Sequence, residues 1–263
     1  MARNMISVLI PTYNSVDSLD LLIRSLVDGA DDINNVEIIV GIDGTEDINQ
    51  PIVDKWKSRV NFLISPTNQG LCRNTNLLVY NASHEWVLIL NDDNVAPQHY
   101  DTKLSVFENH TNCVITPNQI EPTPSMFPQF VINNSGRDPK TFDLEKFWEF
   151  AESVSHNTVE ESGSTLPIFV RKLDFIKIGG WDENYPTNGI VADWDYFVKC
   201  NLSGLMMLRV YNCHFYHFVS LSVNNTAENN NKRQTDEQHA HMYAKYKWGD
   251  FIKHNPKNNL KYI

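Results

Sequence analysis

The sequence lacks any apolar run close to the roughly 18 residues that a membrane-spanning helix requires. Residues 1–4 lead directly into a short apolar segment, which meets a Pro-Thr-Tyr-Asn turn too early for the core of a signal peptide. These two absences exclude an integral membrane protein and argue against secretion. We therefore expect a soluble, cytoplasmic protein.

Cysteine is also scarce. The four cysteines are widely separated along the chain, and none forms a Cys-x-x-Cys pair: Cys72, Cys113, Cys200 and Cys213. This pattern argues against a disulfide framework and against a cysteine-based metal site. Free thiols in a reducing compartment are the expected state.

Basic residues are in deficit. The chain has 22 lysines and arginines against 32 aspartates and glutamates, which gives a formal net charge of −10. A protein that grips nucleic acid through its phosphates needs a basic surface, so the overall charge disfavours that class. A nucleic-acid acceptor stays open because the last third of the chain is locally basic, with Lys232, Arg233, Lys245, Lys247, Lys253, Lys257 and Lys261.

Short apolar runs alternate with amphipathic segments in the first hundred residues. The run at 5–10 is continuous and partly β-branched, which is typical of a buried parallel strand. Ser15 and Ser18 are candidate N-caps of the following helix. The alternation predicts an α/β fold with a mostly parallel, Rossmann-like sheet flanked by helices. We expect strands at 5–10, 36–42, 60–64, 86–90 and 113–116, and helices at 15–27, 48–58, 72–81 and 100–109.

The second half of the chain is less regular. Four prolines between 119 and 139 predict a loop-rich insertion, and the polar, Asn-rich segment 224–235 predicts a mobile loop. We expect helices at 141–155, 172–178, 194–202 and 237–248, and strands at 168–170 and 208–216.

The strongest local signal is the acidic segment Asn91–Asn94. It directly follows the most apolar predicted strand, at the edge of the sheet where open α/β folds bind ligands. Adjacent carboxylates at such an edge suit a Mg²⁺ or Mn²⁺ ion that bridges to phosphates. The alternative from this segment alone is a solvated turn.

Other candidates each allow a structural interpretation as well. Asp43 also follows a buried strand and is either a ligand for a base or ribose, or an ordinary turn residue. Arg73 is a candidate base or phosphate contact or a surface ion pair. His217 is a metal ligand or a structural histidine. The Asp193-Trp194-Asp195 segment offers a general base or helix-capping acids.

The order of these segments resembles the family 2 glycosyltransferases, which have the GT-A fold, over residues 7–248. The matching segments are Val8-Leu9-Ile10-Pro11-Thr12-Tyr13-Asn14, Ile42-Asp43-Gly44-Thr45-Glu46-Asp47, Asn68-Gln69-Gly70-Leu71-Cys72-Arg73-Asn74, Leu90-Asn91-Asp92-Asp93, Ile178-Gly179-Gly180-Trp181-Asp182-Glu183, Asp193-Trp194-Asp195 and Tyr216-His217. Asn91 stands where the family has the first Asp of its metal motif, and Ala192 stands where it has a Glu before the catalytic Asp.

The resemblance implies a role for each matching residue. The metal, Mn²⁺ or Mg²⁺, would be held by Asp93 and His217, and Asp193 would be the catalytic base. Lys232 or Arg233, in the predicted mobile loop, could touch phosphate. The acceptor side would comprise Gly180, Trp181, Asp182, Trp194 and Asp195. The nucleotide-sugar donor, most often a uridine one, would contact Pro11, Thr12, Tyr13, Asn14, Asp43, Asn68, Gly70, Arg73, Asn91 and Asp92.

We therefore expect one GT-A domain over 1–263. Residues 1–117 would bind the nucleotide sugar, 118–223 would form the acceptor-binding and catalytic half, and 224–263 would form the mobile loop and last helix. The expected reaction is inverting, metal-dependent transfer of a sugar to a hydroxyl of a glycan, a lipid-linked sugar, a protein or a hydroxylated DNA base. The alternatives are a nucleotidyltransferase, for which Pro11–Asn14 offers no Gly-rich phosphate cradle, and an inactive sugar-binding domain.

Overall fold

The fold is described from a computed structural model, which covers residues 5–125, 127, 129–162, 166–219, 227–249, 253–255 and 259–261. Its strands are β1 Ile6–Thr12, β2 Val36–Asp43, β3 Asn61–Ser65, β4 Trp86–Ile89, β5 Asn94–Val95, β6 Cys113–Glu121, β7 Val131–Ile132, β8 Val159–Glu161, β9 Ile168–Arg171, β10 Met206–His217, β11 Lys253–Asn255 and β12 Asn259–Lys261. Its α-helices are α1 Val16–Gly29, α2 Glu46–Trp56, α3 Leu71–Asn81, α4 Tyr100–Ser105, α5 Leu144–Ser153, α6 Lys172–Lys177, α7 Ala192–Leu202 and α8 Ala227–Trp248.

The main sheet is mixed and mostly parallel, with the order β3-β2-β1-β4-β9-β6-β10-β5. Strands β1 to β4 form a parallel block, because β1 pairs in parallel with both β2 and β4. Strand β9 runs antiparallel between β4 and β6, and β10 returns parallel to β6. The α/β fold and mostly parallel sheet expected from the sequence are confirmed.

Apolar side chains on the two faces of the sheet form two separate cores. Side chains alternate along a strand, so Val8 and Ile10 of β1 face one core while Leu9 faces the other. Helices α1 and α4 cover the first core, and α3, α6, α7 and α8 cover the second. The continuous apolar runs of the sequence therefore reflect strands that are buried on both faces. The four cysteines are free and buried, as expected.

Several element ends differ from those predicted from the sequence, and two of them concern the expected division of the chain. The predicted loop at 224–235 is helical from Ala227, because α8 spans Ala227–Trp248; residues 220–226 lie outside the described residues. Lys232 and Arg233 therefore lie on an exposed helix. The boundary between 117 and 118 falls inside β6, so one strand belongs to both proposed halves.

The carboxyl ends of β1, β2 and β4 carry the candidate site, and a side chain of α3 closes this edge. The amide nitrogen of Asn74 donates to the carbonyl of Gly41 at 2.8 Å, and a Cβ at Gly41 would collide with that amide. No helix among the described residues has both the length and the apolar character needed to cross a membrane.

Gly44 directly follows β2 and has φ of +78°, a backbone conformation that other residues rarely adopt. A Cβ there would also collide with the backbone nitrogen of Asn68. We expect Gly44→Ala to lower the free energy of unfolding by more than the roughly 1–2 kcal/mol of left-handed strain alone. Gly204→Ala is the matched control, because Gly204 has φ of +76° and no atom within 4 Å of its Cβ position. Equal losses in urea unfolding would contradict the close approach of the Gly44 and Asn68 turns.

Candidate active site

The acidic turn after β4 is fixed by the loop that follows β1. Thr12 Oγ1 donates to Asp92 Oδ2 at 2.7 Å, and the Ser15 hydroxyl and the Tyr13 amide also bond to this carboxylate. Ser15 is the N-cap residue of α1, but its hydroxyl bonds to Asp92 and does not cap the helix. Burial, followed by the neighbouring charge of Asp93, raises the pKa of Asp92 to about 6.

Pairing of β5 with β10 brings Asp93 against His217. His217 lies opposite Asn94 in this antiparallel pair, and the Phe218 amide donates to the Asp93 carbonyl at 3.1 Å. As a result, His217 Nε2 lies 3.5 Å from Asp93 Oδ2. The two residues predicted to hold a metal, 124 positions apart in the sequence, are therefore neighbours.

A third residue, Glu121, joins this pair and was not predicted from the sequence. Strand β6 pairs with β10 so that Ile120 lies opposite Tyr216, which places Glu121 beside His217. Glu121 Oε1 lies 2.9 Å from His217 Nδ1 and is buried. The available sequence signal was a lone acid at the end of an apolar strand, before a proline-rich segment.

The electrostatics at His217 favour a positive charge. Burial would lower the pKa of His217, but the carboxylates of Asp93 and Glu121 outweigh burial and raise it to about 10. A divalent cation beside His217 would also supply positive charge to the two carboxylates. The contact of Glu121 with Nδ1 leaves Nε2, which faces Asp93, as the nitrogen that could bind such a cation. Within the described residues, no group of three or more His, Cys, Asp or Glu side chains forms a complete metal site. An ion held by Asp93 and His217 would have to take its remaining ligands from a bound phosphate and from water.

Asp43 holds a loop instead of standing free. Its Oδ1 accepts the Gln69 amide at 2.6 Å, and its Oδ2 accepts the Gly70 amide at 2.8 Å. Asn68 Oδ1 accepts the same Gly70 amide at 2.9 Å. Asp43 and Asn68 thus shape the turn into α3, and the predicted contact of Asp43 with a base stays a prediction.

The other donor candidates differ in accessibility. Pro11 and Thr12 are buried in β1, whereas Asn14 is exposed and Tyr13 has 47% of its surface accessible. Arg73 is exposed in the first turn of α3 and makes no ion pair with any described residue. Among the predicted donor contacts, the Tyr13 ring and the Arg73 guanidinium are therefore accessible to a ligand.

Asp193 lies in the first turn of α7, which begins at Ala192, two residues earlier than predicted. Its side chain is half-buried, and its Oδ1 accepts the Trp194 amide at 2.9 Å. Burial outweighs these amide hydrogen bonds and raises the pKa of Asp193 to about 6. A pKa near 6 still leaves most of the carboxylate ionised at pH 7.

Three residues predicted for the acceptor side have internal partners. Asp195 is fully buried, and Trp181 is 3% exposed, so neither can contact an acceptor in this structure. Asp182 accepts hydrogen bonds from Lys247 Nζ at 2.6 Å and from the Tyr243 hydroxyl at 2.9 Å. Gly180 has φ of +52°, and its loop is fixed because Asn76 bonds to the backbone of Trp181 in both directions, at 2.9 Å each.

The turn after β2 and the loop before α7 meet at the start of α3. The Leu71 amide donates to the Thr187 carbonyl at 2.8 Å, which joins the turn held by Asp43 to the loop before α7. Burial, followed by the charges of Asp182 and Asp193, raises the pKa of the Cys72 thiol to about 12.

Comparison with known proteins identifies the class. The family described as Glycosyl transferase family 2 matches residues 7–135, which include the Asp92–Asp93 turn and end before α7. No curated protein matches the chain significantly. The chain carries a family 2 glycosyltransferase domain with the GT-A fold, and the protein is a glycosyltransferase.

Solved structures share this fold at low sequence identity. S. aureus TarS 1–349 superposes with a TM-score of 0.59 and 17% identity, over 95% of this chain and 75% of that chain. The same protein in complex with UDP gives 0.58 and 14%, over 93% and 72%. The mannosyltransferase PcManGT from Pyrobaculum calidifontis, in complex with GDP-Man and Mn²⁺, gives 0.63 and 12%, over 95% and 66%.

Removal of the Glu121 carboxylate should weaken metal binding. We expect Glu121→Gln to bind Mn²⁺ roughly 10–100-fold more weakly in the presence of UDP, because the imidazole loses its orienting partner. Asp93→Asn should weaken binding further, since it removes a direct ligand. Electron paramagnetic resonance of free Mn²⁺ measures both effects without any turnover. Glu160→Gln, at an exposed carboxylate on β8, is the control. Normal binding by Glu121→Gln alongside weak binding by Asp93→Asn would contradict the role of Glu121.

Proposed function

We propose that the protein transfers a sugar, with inversion, from a uridine diphosphate sugar to an acceptor hydroxyl in a reaction that depends on Mn²⁺ or Mg²⁺. The observation that carries the proposal is the approach of Asp93 and His217 to 3.5 Å at the carboxyl edge of the sheet. Asp193 lies on helix α7, separate from the turn of Asp93 and the strand of His217, and its carboxylate has no ion-pair partner among the described residues.

Charge supports the need for a cation. Asp92 and Asp93 are adjacent carboxylates at the edge where a donor diphosphate would bind. Two anionic groups cannot approach each other closely without a cation between them. Asp93 and His217 would hold that ion, which when bound offsets the charge that develops on the leaving diphosphate.

The nucleoside would lie over the edge of β1 and β2. Tyr13 offers an accessible aromatic face, and Arg73 is an exposed cation in the first turn of α3. The turn held by Asp43 follows the end of β2 at the same edge. This arrangement supports a nucleoside diphosphate donor, and the uridine preference rests on the family resemblance.

Asp193 would act as the general base. The acceptor oxygen attacks the anomeric carbon, the bond from that carbon to the diphosphate oxygen breaks, and the acceptor proton passes to Asp193. Inversion requires the base on the face opposite the leaving group, and Asp193 comes from a separate element, α7. Asp195 does not suit this role, because its carboxylate is fully buried among other side chains.

The proposal covers a hydroxyl on a glycan, a lipid-linked sugar, a protein or a modified DNA base as acceptor. Mass spectrometry of products formed from one candidate of each class distinguishes them.

Uridine preference is tested by a nucleotide panel. We expect UDP with Mn²⁺ to raise the melting temperature more than GDP, CDP or dTDP with Mn²⁺, because only the correct base is bound at the β1–β2 edge. Differential scanning fluorimetry provides the measurement, and each nucleotide without metal provides the control. A larger shift with GDP or dTDP would overturn the uridine assignment and leave the fold untouched.

Loss of the base should affect turnover and not donor binding. We expect Asp193→Asn to slow transfer about 10²–10⁴-fold, the usual contribution of general-base catalysis, with an unchanged melting shift from UDP and Mn²⁺. Because only the ionised carboxylate accepts a proton, the wild-type rate should rise with pH through about 6 and then level off. Release of UDP from UDP-glucose, UDP-galactose and UDP-N-acetylglucosamine, with water as acceptor, measures the rate.

Asp195→Asn serves as the comparison, and we expect it to slow transfer less than Asp193→Asn does, because Asp195 is buried and does not take the proton itself. A normal rate for Asp193→Asn together with a dead but folded Asp195→Asn would show that the base is Asp195.

A further inference from the structure

The last turns of α8 contact the helix that carries Asp193. Ala240 and Ala244 are buried against the core on that side of the sheet, and the Trp194 ring lies 5.6 Å from the His241 ring. Three polar side chains near the end of α8 then reach inward: Tyr243, Lys247 and Trp248. The carboxyl-terminal helix is therefore attached to α7 by specific polar bonds as well as by apolar contact.

Asp195 receives two of these bonds, and the Tyr185 hydroxyl also lies 3.3 Å from its Oδ1. Trp248 Nε1 donates to Asp195 Oδ1 at 2.7 Å, and Lys247 Nζ lies 2.7 Å from the same oxygen. Lys199 Nζ lies 3.5 Å from Oδ2. A fully buried carboxylate requires such partners, because an unpaired buried charge is costly. Asp195 is consequently fixed by two residues of α8.

The start of α7 has no side-chain cap, although Val191 and Ala192 are buried in the core. The residue before the helix, Val191, has φ of +69° and makes no side-chain cap. Asp193 and Asp195 both lie in this first turn. The contacts of Asp195 therefore help to set the orientation of the turn from which Asp193 projects, together with the burial of Val191 and Ala192.

Lys247 also ties this turn to the loop after α6. Its Nζ lies 2.6 Å from Asp182 Oδ2, so one ammonium group bridges Asp182 and Asp195. Burial would raise the pKa of Asp182, but the hydrogen bonds from Lys247, Asn184 and Tyr243 outweigh it and hold the pKa well below its usual range. Asp182 follows the Trp181 backbone that Asn76 fixes to α3. Lys247 therefore joins α7 to the α3 side of the site.

We propose that Lys247 and Trp248 are positioning residues that hold the first turn of α7, and hence Asp193, in its reactive orientation; this inference rests on the proposed role of Asp193. A base displaced by about 1 Å can cost on the order of 10²-fold in rate. Loss of either contact should therefore lower kcat while the metal and nucleotide site stays intact.

The test uses Trp248→Phe, which keeps an aromatic ring and removes the Nε1 donor, and Lys247→Met, which keeps a long side chain and removes the charge. UDP release from UDP-glucose, with water as acceptor and Mn²⁺ present, gives kcat and the donor KM. We expect kcat to fall about 10–100-fold with an unchanged donor KM and an unchanged melting shift from UDP and Mn²⁺. Lys247→Arg should retain most of the rate, because it restores a cation between the two carboxylates.

Tyr246→Ala is the matched control, since Tyr246 precedes Lys247 on the same helix and is 87% exposed. A wild-type kcat in folded Trp248→Phe and Lys247→Met would overturn the inference. A loss in kcat matched by an equal loss in nucleotide-binding stoichiometry would also overturn it, because that result indicates unfolding alone. If Asp193→Asn slows the same reaction while both α8 variants do not, only this inference fails. If Asp193→Asn also retains the wild-type rate, the proposed base fails with it.

Discussion

The candidate site depends on one short strand pairing, Asn94–Val95 against Tyr216–His217. Only two residues of β5 take part, yet they bring a turn from the first half of the chain against the end of the last long strand. Asp93 and His217 are far apart in the sequence, and this strand pairing brings them together. The parallel β6–β10 pair then adds Glu121 from behind. A carboxylate, an imidazole and a second carboxylate are thus aligned by backbone hydrogen bonds, which hold positions more firmly than surface side chains do.

The opposite wall is assembled on α3. Asn74 ties this helix to β2, Asn76 ties it to the Gly180–Trp181 loop, and the Leu71 amide ties it to the loop before α7. The side-chain amides of Asn74 and Asn76 thus act as internal hydrogen-bond partners. In the proposed function the first half of the chain would bind the nucleotide and the second half would supply the base, and α3 contacts elements of both halves. The site is therefore continuous across the halves that the sequence suggested, just as β6 is.

Local periodicity was sufficient to predict the longer strands and helices, because the apolar runs of β1, β2 and β4 are long and end at clear turn residues. The two-residue and three-residue strands, β5 among them, were not predicted, because such short segments carry no periodicity. The ordered motifs predicted Asp93 and His217 as partners through the family resemblance, and the structure brings them together. Burial was harder to predict. Asp193 and Asp195 look equivalent in the sequence, and only the packing of α8 shows that Asp195 is enclosed. Glu121 could not be predicted either, because its role depends on the strand register between residues 96 positions apart. The helical start of α8 was missed because its polar, Asn-rich composition is typical of loops.

The central claim is that Asp93 and His217 share a metal ion that faces a nucleoside diphosphate. Crystals grown with Mn²⁺ and UDP, with diffraction recorded at the manganese absorption edge, test it most directly. The account predicts one anomalous peak between the Asp93 carboxylate and His217 Nε2, in contact with the diphosphate of UDP. Bound UDP with no peak there, or with manganese held by other residues, would contradict it.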